Sequence, residues 1–161
     1  MERVSKRNYY LDIAQTVLER ATCLRRVYGA IIVKNDEIIS TGYNGAPRGR
    51  KNCVDLSYCT REQLKVPRGE RYELCRSVHA EANAIISASR RDMVGGTLYL
   101  VGRNAQTGEI LSDATSCPMC RRHIINAGLE RVVIRQTPEK FEVVRVQDWV
   151  DGDDLSLPEK I

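Results

Sequence analysis

The sequence predicts an α/β protein: one three-layer α/β/α domain, residues 1–161, on a mixed central sheet of about five strands. Three observations point there. A chain of 161 residues can bury a real hydrophobic core and is short for two ordinary domains. Helical periodicity and β-branched runs follow one another in the order helix, hairpin, helix, strand, helix, strand. Parallel strands in such an order need helical crossovers, which place helices on both faces of the sheet.

Ser5 is positioned to cap a helix over about Arg7 to Ala21, whose Tyr10, Ile13, Ala14, Val17, Leu18 and Ala21 share one inward face. Ala30 to Val33 is an apolar run, Asn35-Asp36 a turn, and Ile38 to Tyr43 a β-branched return, which together read as a hairpin. Gly42-Tyr43-Asn44-Gly45-Ala46-Pro47 then breaks regular structure. The connection up to Val78 is longer than one domain ordinarily leaves unstructured, and residues 48–78 read as a cysteine-bearing insertion.

From Val78 or His79 to about Arg90, the residues Ala80, Ala84, Ile85 and Ala88 describe a buried helix that stops before Gly95-Gly96. Thr97 to Val101 is a strand, and Gly102 to Thr115 a polar excursion that forms at most a small hairpin. A helix follows Cys117, with Ile124 and Ala127 inward and Gly128 closing it. Arg131 to Arg135 and Glu142 to Val146 are further strands. Residues 147–161 show no periodicity and are expected to form a loose tail or an arm reaching a partner subunit.

No window approaches the roughly 20 apolar residues of a membrane span, and Met1-Glu2-Arg3-Val4-Ser5-Lys6-Arg7 lacks the apolar core of a signal peptide. A cytoplasmic protein with no membrane partner is expected. Six cysteines in a reducing compartment argue for metal binding ahead of disulfides. The net charge of +4 is modest, yet Arg48, Arg50, Lys51, Arg61, Lys65, Arg68, Arg71 and Arg76 crowd one stretch against Asp55, Glu62, Glu70 and Glu73. Such a field suits a phosphorylated ligand, although an ordinary solvated loop has the same count.

One histidine and two cysteines can supply three protein ligands to a tetrahedral zinc and leave the fourth position for water. His79 and the pair Cys117 and Cys120 are of those types, and Glu81 stands two residues past the histidine. A water on zinc titrates near ~7 rather than ~15.7, so hydroxide is available at neutral pH and Glu81 can carry its proton. Alone, a C-x-x-C pair serves equally as a redox couple or half of a structural zinc ribbon. Joined to an earlier H-x-E, it is the signature of zinc-dependent nucleobase deaminases.

From Cys23 to Val133 the sequence resembles the deoxycytidylate (dCMP) deaminases of the cytidine-deaminase-like superfamily. The matching stretches, in order, are Cys23-Leu24-Arg25-Arg26 before Gly29-Ala30-Ile31-Ile32-Val33, Thr41-Gly42-Tyr43-Asn44-Gly45-Ala46-Pro47, Val78-His79-Ala80-Glu81-Ala82-Asn83-Ala84-Ile85, and Cys117-Pro118-Met119-Cys120 with Ile124-Ile125-Asn126-Ala127-Gly128. The resemblance implies hydrolysis of dCMP to dUMP and ammonia, feeding dTTP synthesis. It implies a catalytic Zn2+ on His79, Cys117 and Cys120, with Glu81 as proton shuttle. Asn44 and the backbone of Ala80 would contact the nucleotide. Arg25 best fits the phosphate, with Arg26 and Arg48 in reserve. It further implies a homo-oligomer, often a hexamer, with dCTP and dTTP as effectors in the presence of Mg2+. Ser116 replaces the proline usual before the first paired cysteine and is expected to cap the helix instead.

Cys23, Cys53, Cys59 and Cys75 remain. Four thiolates make a closed structural zinc site, which would organise the 48–78 insertion; separate buried thiols are the alternative. Two rival functions stand beside the first: a zinc deaminase of another cytosine nucleoside or nucleotide or of tRNA adenosine, and a non-enzymatic zinc interaction module. One Trp, one Phe and an acidic tail give little support to nucleic-acid binding, and the module leaves Glu81 without a task.

Overall fold

The computed structural model describes residues 1–152. The Ser5 hydroxyl accepts the Asn8 N–H at 3.2 Å and opens α1 (Lys6–Val17), which tightens into a 3₁₀ turn at Leu18–Arg20. Strands β1 (Arg26–Lys34) and β2 (Glu37–Tyr43) form the expected hairpin. Its turn residues Asn35 and Asp36 have φ of 52° and 61°, the left-handed pair that a two-residue hairpin loop requires. Strand β3 (Thr97–Asn104) lies antiparallel on the other side of β1, with Arg26 opposite Asn104 and Val33 opposite Thr97.

Strand β4 (Arg131–Arg135) runs parallel to β3, and β5 (Phe141–Arg145) antiparallel to β4, so the five-stranded order is β2-β1-β3-β4-β5. The parallel pair is spanned by α6 (Pro118–Ala127), the helical crossover such a pair needs. Side chains alternate along β1: Ile31 and Val33 face α1 with Tyr10, Leu11, Ala14 and Leu18, whereas Ala30 and Ile32 face the opposite layer. In that layer α4 (Ala80–Ile86) and α6 supply Ala80, Ala84, Ile124 and Ala127.

The insertion between Ala46 and Val78 contains two single-turn helices, α2 (Cys53–Leu56) and α3 (Thr60–Gln63), and a 3₁₀ turn at Tyr72–Leu74. Its base is closed by paired backbone hydrogen bonds between Gly45 and Val78, at 3.2 and 2.7 Å. The helix expected to reach Arg90 stops at Ile86, because the Ser87 hydroxyl turns back onto the Asn83 carbonyl at 2.8 Å. Ser89 then caps a separate turn, α5 (Arg90–Met93). The excursion after β3 is a small turn, with Arg103 bridged to Ile110.

Residues 147–152 are not a loose tail. They continue directly from β5 as α7 (Val146–Gly152), with Val146 buried, Trp149 packed on the core and the Arg121 guanidinium 5.0 Å from the indole centroid. Residues 153–161, the rest of the expected tail, lie outside the described residues. On the α1 face, buried Arg135 reaches Asp12 and Gln15, each at 2.8 Å, and fastens the helix to β4.

Helix α4 and strand β2 meet backbone to backbone. A Cβ placed on Gly42 would stand 2.4 Å from both the Ala80 carbonyl oxygen and the Ala84 nitrogen, which are backbone atoms that cannot rotate away. Gly42→Ala is therefore expected to destabilise the domain by about 1–3 kcal/mol, read as a lower urea midpoint at unchanged m-value.

Candidate active site and metal centre

Two helix N-termini converge at the site. His79 is the N-cap of α4 and Cys117 the N-cap of α6, each in extended backbone just before its helix begins. Pro118 presets the first helical angle of α6, and the Cys117 sulfur accepts the Cys120 N–H at 3.5 Å, so a single turn presents both sulfurs inward. His79 Nδ1 lies 3.5 Å from Cys117 Sγ and 3.3 Å from Cys120 Sγ. Among the described residues, these three form the one group of such ligands with all donor atoms within 4.8 Å of one another.

The donor set fits zinc. Two sulfurs and an imidazole match the softness and tetrahedral preference of that ion, and a third protein donor leaves one position open. The electrostatics fit as well. Cys117 is pulled down to about 4 by the hydrogen bond from Cys120, against the cost of burial and with help from His79. Cys120 is held up by Cys117 and by burial, so the pair shares one proton. Burial disfavours charge on His79, yet its contacts with Cys117 and Cys75 push it up to about 10. A divalent cation would replace those protons while satisfying the same three donors.

Glu81, in the first turn of α4, is 4% exposed. Burial drives its pKa up, opposed by backbone hydrogen bonding and by His79. Ser116 is fully buried beside it, its Oγ without a hydrogen-bond partner among the described residues. The expectation that Ser116 caps α6 is corrected: the Cys117 sulfur takes the N–H that a cap would satisfy.

These groups open onto a cleft of about 130 Å³ lined by Asn44, His79, Ala80, Glu81 and Cys117, together with Tyr28 and Tyr72. Asn44 is fixed by β1, its Oδ1 accepting the Tyr28 N–H at 2.8 Å and its Nδ2 donating to the Arg26 carbonyl at 2.9 Å. Tyr72 stands edge-on to the His79 ring, with centroids 5.0 Å apart. The Arg61 guanidinium lies 4.5 Å from the centre of the Tyr72 ring and donates to the carbonyls of Pro67 at 3.2 Å and Glu70 at 2.7 Å. At 7% exposure, it ties the end of the insertion into a wall of the cleft.

Arg25 and Arg26 line the cleft, Arg25 paired with Glu62 at 2.9 Å and Arg26 with Asp113 at 3.5 Å. Arg48 does not; it sits on an exposed turn outside the lining. Sequence reasoning missed Tyr28, Arg61, Arg68 and Tyr72 as wall residues. The only signal was the basic stretch containing both arginines, and a charge count cannot separate a wall from a solvated loop.

All six cysteines are free thiols. Cys53 is buried, and burial, reinforced by Cys23, Cys75 and Cys59 nearby, raises its pKa. Cys75 is instead turned to His79, whose hydrogen bond lowers the thiol pKa despite burial. The four do not reach the ligating spacing of the first group.

Residues 4–136 match the model of the cytidine and deoxycytidylate deaminase zinc-binding region. The deoxycytidylate deaminase of Mycobacterium phage D29 is 36% identical over 138 residues, covering 83% of this chain and 96% of that protein. That of Schizosaccharomyces pombe is 32% identical over 131 residues, 81% of this chain but 37% of the yeast protein. The apo crystal structure of the dCMP deaminase from cyanophage S-TIM5 shares the fold with a TM-score of 0.58 at 26% identity, covering 83% of this chain and 85% of that one. Both the matched span and the geometry of His79, Glu81, Cys117 and Cys120 agree: the chain belongs to the cytidine and deoxycytidylate deaminase zinc-binding family.

Proposed function

We infer that this protein is a zinc-dependent deoxycytidylate deaminase that hydrolyses dCMP to dUMP and ammonia and so supplies dUMP for dTTP synthesis. The observation that carries the reading is a buried carboxylic acid, Glu81, in the same cleft as a His79, Cys117 and Cys120 donor set. The homology to deoxycytidylate deaminases across most of the chain supports the substrate.

In this reading His79, Cys117 and Cys120 hold the zinc, which when bound acidifies water toward a pKa of ~7. Glu81 carries protons in two separate steps. As the carboxylate it takes one from the attacking water and gives it to the pyrimidine ring nitrogen, then takes the second from the added hydroxyl and gives it to the departing amine, and its burial raises its affinity for each. Asn44 has spent one amide N–H on Arg26 and accepts from Tyr28, which leaves its second N–H for the nucleotide. The Ala80 N–H, in the first turn of α4, is free of intrahelical bonding and is assigned to the pyrimidine edge. Tyr28 and Tyr72 exclude bulk water from the ring. Arg25 and Arg26 are assigned to the phosphate, whose oxygens a guanidinium can grip at two points.

The same proposal places a second zinc among Cys23, Cys53, Cys59 and Cys75; the clustering of the other three thiols around Cys53 supports it. It extends to a homo-oligomer, a hexamer in the form common to the family, acting in the cytoplasm, with dCTP and dTTP as effectors in the presence of Mg2+. Six free thiols support a reducing compartment, and no helix among the described residues is long and apolar enough to cross a membrane.

Ammonia release from zinc-loaded protein should be confined to dCMP within a panel of dCMP, dCTP, deoxycytidine, CMP and adenosine-containing tRNA. Glu81→Gln should lower kcat by about 10²–10⁴ while zinc content stays unchanged; turnover of another panel member instead would overturn the substrate. Arg25→Ala should weaken use of dCMP by about tenfold or more relative to deoxycytidine, and equal losses on both would remove Arg25 from the phosphate site. Metal analysis of active protein should find two zinc ions per chain, falling to one in Cys53→Ser; one ion in the unaltered protein excludes the second centre.

A further inference from the structure

We propose that Asp113 determines how many phosphates the site accepts. The inference rests on the deoxycytidylate reading and concerns a residue that the chemistry above leaves unused. Asp113 Oδ2 receives Arg68 Nη2 at 2.9 Å and Arg26 Nη2 at 3.5 Å, and both arginines line the cleft. Three remote stretches therefore meet at its rim: the start of β1, the insertion and the excursion after β3. The carboxylate is held there by its neighbours. Leu111 N–H bonds the Gly102 carbonyl at 2.9 Å, Ala114 is buried and Thr115 lines the cleft.

An Asp113 side chain 59% exposed, facing arginines 33% and 63% exposed, makes weak ion pairs. One phosphate can take the two guanidinium groups from it, because charge-assisted, two-point contacts are stronger. The carboxylate stays close by after that exchange, since its backbone is fixed. Each phosphate beyond the first then adds negative charge beside an anion, a cost that falls on dCTP and not on dCMP. Asp113 thus keeps the arginines neutralised when the cleft is empty and selects against polyphosphate when it is filled.

The test compares the unaltered zinc-loaded protein with Asp113→Asn, which removes the charge at constant size, and Asp113→Glu, which keeps it. Two ratios are measured at low ionic strength, where exposed charges are least screened: kcat/KM for dCTP over dCMP, and calorimetric affinity for tripolyphosphate over inorganic phosphate. Asp113→Asn should raise both by about tenfold, and Asp113→Glu should leave them near the unaltered values. Unchanged ratios in Asp113→Asn overturn the proposal, as does an equal rise in Asp113→Glu. If neither nucleotide is turned over by the unaltered protein, the deaminase reading fails, and the polyphosphate ratio still decides the role of Asp113.

Discussion

The fold turns on a contact with no side chain in it. The Ala80 carbonyl and the Ala84 nitrogen of α4 occupy the space a Cβ at residue 42 would need, so helix and strand touch backbone to backbone. That contact sets the height of α4 above the sheet, and His79 and Glu81 ride on its first turn. Two residues beyond Gly42, Asn44 turns back to bond β1 on both sides of its amide. One hairpin thus carries the seat of the ligand-bearing helix and a polar wall of the cleft. The sulfurs arrive independently, on the crossover between β3 and β4.

Charge is arranged in depth. At the floor, burial raises Glu81, and Cys117 is lowered while Cys120 is raised, so the deepest groups differ strongly in how readily they ionise. At the rim, arginines paired with Glu62 and Asp113 remain in contact with water. Between them the buried Arg61 guanidinium bonds the carbonyls of Pro67 and Glu70 and, among the described residues, no carboxylate; it acts as a strut, holding Tyr72 against His79.

What could be read from the sequence was local. Ser5 as cap, Asn35-Asp36 as turn, Gly128 as helix stop and the close pairs His79 with Glu81 and Cys117 with Cys120 each depend on residues a few positions apart; the two halves of the metal group then meet across about forty residues. The mixed sheet with helices on both faces followed from the alternation of periods, whereas the strand order is seen only in the structure. What was hidden depends on tertiary placement. Nothing local distinguishes Arg61 and Arg68, which line the cleft, from Arg48, which does not. The seven residues of α7 are too few to show a period, and only packing of Trp149 on the core reveals them. Ser116 is of a type that caps helices, yet here Cys117 fills that role itself.

The position of β1 has a kinetic consequence. It lies between β2, its neighbour in the chain, and β3, which is far along it, so Val33 must find Thr97 before the sheet has a middle. Closing that long loop is entropically costly and slow, whereas the hairpin forms early. His79 precedes β3 in the chain and the cysteine pair follows it, so the three donors meet only once β3 is in place. A cation that needs all three binds the finished chain and not its precursors, and therefore shifts the folding balance by mass action. The stability of the closed sheet then depends on the free zinc around the protein as well as on its own packing.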